Sequence, residues 1–169
     1  MLENDNLYLG IAQRAHGQVQ LGRDQIANAA VCIAFCAFAV EYGIKRLVYA
    51  RLYLGAYGER RERMMALMPR RRRKRLRRNF AFVRRYSKVP RPLLREAWTL
   101  FGHRNGLVHS EELKGTVTPD GKEEVREVRF HVLGSETIPL AKQCLHIAER
   151  TVPALRAALT EKGWNPFGY

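Results

Sequence analysis

At 169 residues the chain is long enough for one domain with a real core and too short for two of ordinary size. Lys and Arg number 30 against 16 acids, a formal charge of +14 at neutral pH, and an excess of that size points to a polyanion partner: RNA, DNA or an anionic membrane. The three cysteines, Cys32, Cys36 and Cys144, are an odd number with neither Cys-x-x-Cys nor zinc spacing. That excludes a disulfide framework and fits a reduced, cytoplasmic protein in which Cys32 and Cys36 act as small buried hydrophobes.

The chain opens on Glu3, Asn4, Asp5 and Asn6 rather than on a basic patch followed by an apolar run, so no export signal is expected. Leu7, Leu9, Ile11, Ala12, Ala15 and Val19 give a first helix, weakened by Gly10 and Gly17. A second, long helix runs from about Arg23 to Leu54, its stripe carried by Ile26, Ala30, Ile33, Ala37, Val40, Ile44 and Leu47. Around Ile33 to Val40 it is apolar on more than one side, as expected of a helix with two neighbours or a second subunit; a central helix in a monomeric bundle accounts for it equally. The uninterrupted apolar run Ala29 to Val40 is shorter than the ~20 residues a bilayer requires, so a buried helix is expected and a membrane span is not.

Gly55 and Gly58 mark a turn, and a third helical region begins near Glu59 with Met64, Met65, Leu67 and Met68 before Pro69 breaks it. Arg70, Arg71, Arg72, Arg73, Lys74, Arg75, Arg77 and Arg78 then fill eight of nine positions, interrupted only by Leu76. A run this dense repels itself and is stabilised by phosphate, which makes these residues the candidate RNA contacts; a solvated helical face is the ordinary alternative. A membrane-surface role needs a broad apolar face opposite the arginines, and only Leu76 is available. Phe80, Phe82 and Tyr86 follow as core anchors rather than stacking platforms, since exposed rings are the rarer use.

Pro90 and Pro92 set the start of a helix from about Pro92 to His109, with Leu93, Leu94, Ala97, Trp98, Leu100, Phe101, Leu107 and Val108 at three- and four-residue spacings. At about 100° per residue, Ala97, Phe101, Arg104 and Val108 share one stripe, which places a guanidinium on an apolar face where it needs a partner. Asn105 and His109 share an adjacent stripe with Trp98. Leu113 to Thr118 and Glu124 to Val132 flank the turn Pro119-Asp120-Gly121-Lys122, and Val128, Phe130 and Val132 alternate with polar residues. This predicts a β-hairpin near residues 113–132, an insertion spanning 111–134. Its acids, Glu111, Glu112, Glu123, Glu124 and Glu127, offer the basic run a partner other than nucleic acid. Ser135 to Lys162 closes the chain as a helix with Ser135 as N-cap, a bend at Pro153 and a stop at Gly163. The fold expected is therefore a single, mainly α domain over residues 1–169, a helical bundle with an inserted hairpin.

Metal-free RNA cleavage needs a base, an acid and positive charge beside the transition state. His109 is suited to proton transfer, Arg104 to charge stabilisation, and Asn105 to orienting either. One such His per chain leaves acid and base unprovided for separately unless a second copy joins. The alternative without chemistry pairs Arg104 with a carboxylate of the second helix, such as Glu41, and has His109 cap its own helix. His16, His103, His131 and His146 have no comparable setting. With no Gly-x-Gly-x-x-Gly, P-loop, His-Glu-x-x-His or acidic metal cluster, neither a cofactor nor a metal is expected.

Arg104-Asn105-x-x-x-His109 near the end of a late helix resembles the signature of the HEPN superfamily (higher eukaryotes and prokaryotes nucleotide-binding domains). Glu41-Tyr42-Gly43-Ile44-Lys45 resembles the Glu and Lys pattern of an earlier HEPN helix. The resemblance implies a metal-independent endoribonuclease whose Arg and His sets meet at a homodimer interface, with Arg104 and His109 catalytic and Asn105 orienting them. It also implies RNA as partner, and a toxin or defence role with an antitoxin or regulatory partner. Glu111 stands where several HEPN toxins carry the Tyr that an antitoxin modifies with AMP, so the resemblance does not extend to that modification. The competing reading is a non-catalytic RNA-binding module or regulatory subunit in which the same side chains hold phosphate without turnover.

Overall fold

The protein is described here by a computed structural model over residues 4–55, 72–108, 111–117, 123–130 and 134–160. It is mainly helical. Five helices lie within the described residues: α1 (Asn4–Gln20), α2 (Gln25–Gly55), α3 (Arg72–Tyr86), α4 (Arg91–Val108) and α5 (Thr137–Thr160). The helical region read near Glu59 lies outside the described residues.

Helix α2 is the axis of the bundle, with α1, α3, α4 and α5 all packed against it. Ala29, Cys32, Ile33, Cys36, Ala37, Ala39, Val40, Ile44, Leu47 and Val48 are buried along it, a set that wraps well beyond one stripe because α2 has neighbours on several sides. The small side chains among them bring those neighbours close. Gly43 is the tightest case, since a Cβ there would lie 3.1 Å from Leu155 Cδ1 of α5. The stretch Gln25–Ala50 is long and apolar enough to cross a bilayer, longer than the run Ala29–Val40 suggests, but half of its apolar window is buried inside the bundle. That buried half of its apolar surface is taken up by packing against the other helices. The thiols belong to the same core: Cys32, Cys36 and Cys144 are free and buried, and Cys32 Sγ donates to the Ala141 carbonyl at 3.7 Å. The hydrogen bond with Cys32, then burial, pushes the Cys36 thiol far up, and burial raises Cys144 to about 12. Cys36 and Cys144 are thereby held as neutral hydrophobes.

Helix α1 ends at a turn where Gly22 takes φ 75° and donates to the Val19 carbonyl at 3.0 Å, the left-handed geometry that glycine adopts without steric penalty. The inward face of α1 is narrow: Ala12, Ala15 and Val19 are buried, whereas Leu7 remains exposed. Its remaining buried residue is Asp5, only 1% exposed. Arg156 Nε of α5 donates to Asp5 Oδ2 at 2.8 Å, and Arg46 Nη1 of α2 lies 3.5 Å from Oδ1, so one carboxylate joins three helices. Burial alone would raise the Asp5 carboxyl. The Arg156 hydrogen bond and charge, a backbone hydrogen bond and the Arg46 charge outweigh it and hold the group below its ordinary 3.8. A depressed native pKa contributes stability that is complete above the unfolded value and is lost as pH falls through the native one. Asp5→Asn should therefore destabilise the protein by about 2 kcal/mol at neutral pH. In denaturant titrations at a series of pH values, the gap from wild type should close below about pH 4; a gap independent of pH would mean that the Asp5 charge contributes nothing.

Helix α3 buries Leu76, Asn79, Phe80 and Val83, one face at helical spacing, and leaves Arg77, Arg78, Arg84 and Arg85 exposed. Phe80 is thus a core anchor, as its place after the basic run suggests. Ser87 Oγ donates to the Val83 carbonyl at 2.7 Å and accepts the Val89 N–H at 3.3 Å, closing α3. The chain turns through Pro90 into α4, whose Leu94 N–H reaches the Pro90 carbonyl at 3.1 Å. Helix α5 begins at Thr137, two residues after Ser135, and continues through Pro153, which faces solvent. Between α4 and α5 the backbone of Glu111–Val117 pairs antiparallel with that of Glu123–Phe130, with a register break at Lys114/Gly115. The connecting residues 118–122 lie outside the described residues, as do the acidic side chains proposed as partners of the basic run.

Candidate functional site

Leu93, Leu94, Ala97, Leu100 and Phe101 seat α4 on the core, and Arg104 continues that inward face for one more turn. Directed by its helix toward α2, the guanidinium meets Glu41: Nη1 donates to Oε2 at 2.8 Å. Nη2 donates to Asn105 Oδ1 at 3.2 Å, and the group lies 5.4 Å from the Phe101 ring centroid and 5.7 Å from that of Phe38. Glu41 is 3% exposed, and its other oxygen, Oε1, is 2.6 Å from Lys45 Nζ. A buried carboxylate thus sits between two cations and leaves the cluster a net positive charge. Two aromatic faces add attraction to the guanidinium and exclude water from it.

Glu41 and Lys45 lie four apart on α2, one turn of one face, so a single helix supplies both. Phe38 belongs to an aromatic group with Tyr8 of α1 and Phe35 of α2, with centroids 5.6 to 6.1 Å apart, which fixes the wall behind Arg104. The Arg104 side chain is 14% exposed, so its fork is largely committed to Glu41 yet still reaches the surface. Asn105 is exposed beside it and His103 half-buried. An anion brought to this rim would compete with the Glu41 carboxylate for the same guanidinium.

Of the residues singled out in the sequence, Arg104 and Asn105 are brought together and His109 lies outside the described residues. Arg70 and Arg71 lie outside them as well, as do the side chains of Arg72, Arg73, Lys74 and Arg75; Arg77 and Arg78 stand exposed on α3. A second basic feature escaped the sequence reading. A groove of about 620 Å³ between α3 and α4 is lined by Arg77, Arg84, Arg91 and Arg95, with Phe80 and Trp98 among its walls. Its signal was spacing: Arg77 and Arg84 are seven apart, and Arg91, Arg95 and Trp98 follow at four and three, each set on one helical face. Among the described residues no group of three or more His, Cys, Asp and Glu is placed to hold a metal ion. No family model, curated protein or solved structure matches the chain.

Proposed function

We propose that the protein is an RNA-binding, metal-independent endoribonuclease of HEPN type, a cytoplasmic toxin or defence effector whose composite site forms where two copies meet. The observation that carries this reading is Arg104 with Asn105 at the rim of α4, positively charged overall despite Glu41, in the chain position that the Arg-Asn-x-x-x-His resemblance gives to a catalytic pair. In the proposed reaction His109 of one copy removes the 2′-hydroxyl proton and the oxygen attacks the adjacent phosphorus. The P–O5′ bond breaks, and the partner's His109 returns a proton to the leaving oxygen. Arg104 stabilises the charge on the phosphorane-like transition state. The products are a 2′,3′-cyclic phosphate and a 5′-hydroxyl. The paired strands between α4 and α5 are read as a hairpin inserted into a HEPN-like bundle.

Incubation of purified protein with total RNA, with and without chelator, tests the proposal. Cleavage that survives chelator and leaves cyclic phosphate ends is expected; cleavage abolished by chelator would remove the mechanism. Light scattering should find a dimer, and full-rate cleavage by a monomer would remove the composite site. A second reading, an RNA-binding module without turnover, is favoured by the Glu41–Arg104 pair, because a guanidinium held by a buried carboxylate is partly neutralised toward phosphate. Absence of cleavage with binding intact would select it.

A further inference from the structure

We infer that the groove between α3 and α4 is a binding site for single-stranded nucleic acid, in which Arg77, Arg84, Arg91 and Arg95 hold phosphates and Trp98 stacks on an unpaired base. The site names where a strand would lie under the RNA-binding reading, and it stands whether or not cleavage occurs.

Four arginines converge on one groove from two helices. Among the described residues no carboxylate lines the groove and none of the four arginines is engaged by an acid. Like charges gathered this way repel one another, and the arrangement is relieved when a polyanion occupies the space between them. The position on α4 sharpens the point. Arg91 and Arg95 stand in its first turns, where the helix dipole disfavours cations, and the first turn contains no acid. A phosphate there answers both the guanidiniums and the dipole.

Trp98 supplies what a simple anion site does not need. It is 39% exposed although it is one of the largest apolar side chains in the protein. Phe80 meets it edge-on, with centroids 4.9 Å apart, and Phe101 lies 5.9 Å away, so the indole is braced and its orientation fixed. A rigid, partly exposed aromatic face inside a ring of guanidiniums matches the alternation of base and phosphate along a single strand. A duplex keeps its bases stacked and offers that ring no base face. An anionic membrane fits less well, because among the described residues the other exposed large hydrophobics, Leu7, Leu21, Ile26, Val31 and Tyr49, lie on α1, α2 and their connection rather than beside the groove. Trp98 and Asn105 are seven residues apart, on nearly the same face of α4 and about 10 Å along its axis. A strand stacked at Trp98 therefore continues toward the Arg104 end of the helix.

The test uses short oligodeoxythymidine, which lacks the 2′-hydroxyl and so reports binding with no possibility of cleavage by the proposed route. In a Trp164→Phe background Trp98 is the remaining tryptophan of two, and binding should quench its fluorescence. Arg84, Arg91 and Arg95 are all exposed, so the triple change to Gln should leave melting unaltered. It should weaken binding at least about tenfold at low salt and flatten the log–log salt slope by about 2. Trp98→Phe should keep most of the affinity, whereas Trp98→Leu should lose about tenfold. The assignment is overturned if the triple variant binds with unchanged affinity and slope, or if binding leaves Trp98 fluorescence unaltered. It is also overturned if the wild type prefers phosphatidylserine-containing vesicles, or a blunt duplex, to the single strand.

Discussion

Arg104→Ala should destabilise the protein by about 3 kcal/mol, the largest single effect expected of any residue near the site. Glu41 is 3% exposed and receives Arg104 Nη1 at 2.8 Å. Truncation leaves that carboxylate with Lys45, whose side chain is 46% exposed and so a weaker, solvent-screened partner. The faces of Phe38 and Phe101 lose their cation as well. Removing both charges should hurt less than removing one, because desolvation of an unpaired carboxylate accounts for most of the penalty. The double variant Glu41→Gln/Arg104→Ala should therefore recover 1 kcal/mol or more relative to the sum of the single variants, roughly the coupling expected of touching charges. Urea titrations of all four proteins measure this coupling. A value near zero would mean that the ion pair is incidental to folding. The same result governs how cleavage data are read, since any loss of activity in Arg104→Ala mixes chemistry with stability. Arg104→Lys, which retains charge but not the planar fork, separates the two: it should restore part of the stability and little of any phosphate recognition.

His109→Ala should abolish cleavage, by roughly a hundredfold or more, while leaving the melting temperature and oligonucleotide affinity close to wild type. The expectation follows from a division of labour. Phosphate affinity is assigned to arginines of α3 and α4, several of them in the groove lined by Arg77, Arg84, Arg91 and Arg95. The proton transfers are assigned to the imidazole of each copy, since arginine does not titrate near neutrality. A mixed dimer of wild-type and His109→Ala subunits gives a stricter check, because a reaction that needs one imidazole from each copy predicts that the mixed species loses cleavage as fully as the His109→Ala homodimer. Wild-type cleavage by folded His109→Ala protein would sink the mechanism and leave the binding reading in place.

The long apolar helix was legible in the sequence by itself, because a period of 3.6 in apolar residues over Gln25–Gly55 is a local property that neighbouring turns repeat. The start of α4 was equally legible, since Pro90 and Pro92 limit the backbone dihedrals wherever they occur. The need of Arg104 for a partner also followed from spacing alone, and Glu41 was among the partners that spacing allowed. Only the tertiary structure decided that Glu41 is that partner, because the two residues are 63 apart in the chain and meet through the packing of α4 on α2. Asp5 carries the same lesson more sharply. In the run Glu3-Asn4-Asp5-Asn6 it reads as an ordinary solvated acid, and nothing local marks it for burial; Arg46 and Arg156 come to it from two other helices. The groove is a third case: Arg77 reads only as part of the basic run and Arg84, Arg91 and Arg95 carry no reading of their own, until the turn through Pro90 lays α4 against α3. Periodicity reports which face of a helix is apolar. It does not report which helix that face will meet, and the chemistry of buried charges and shared grooves is settled by that pairing.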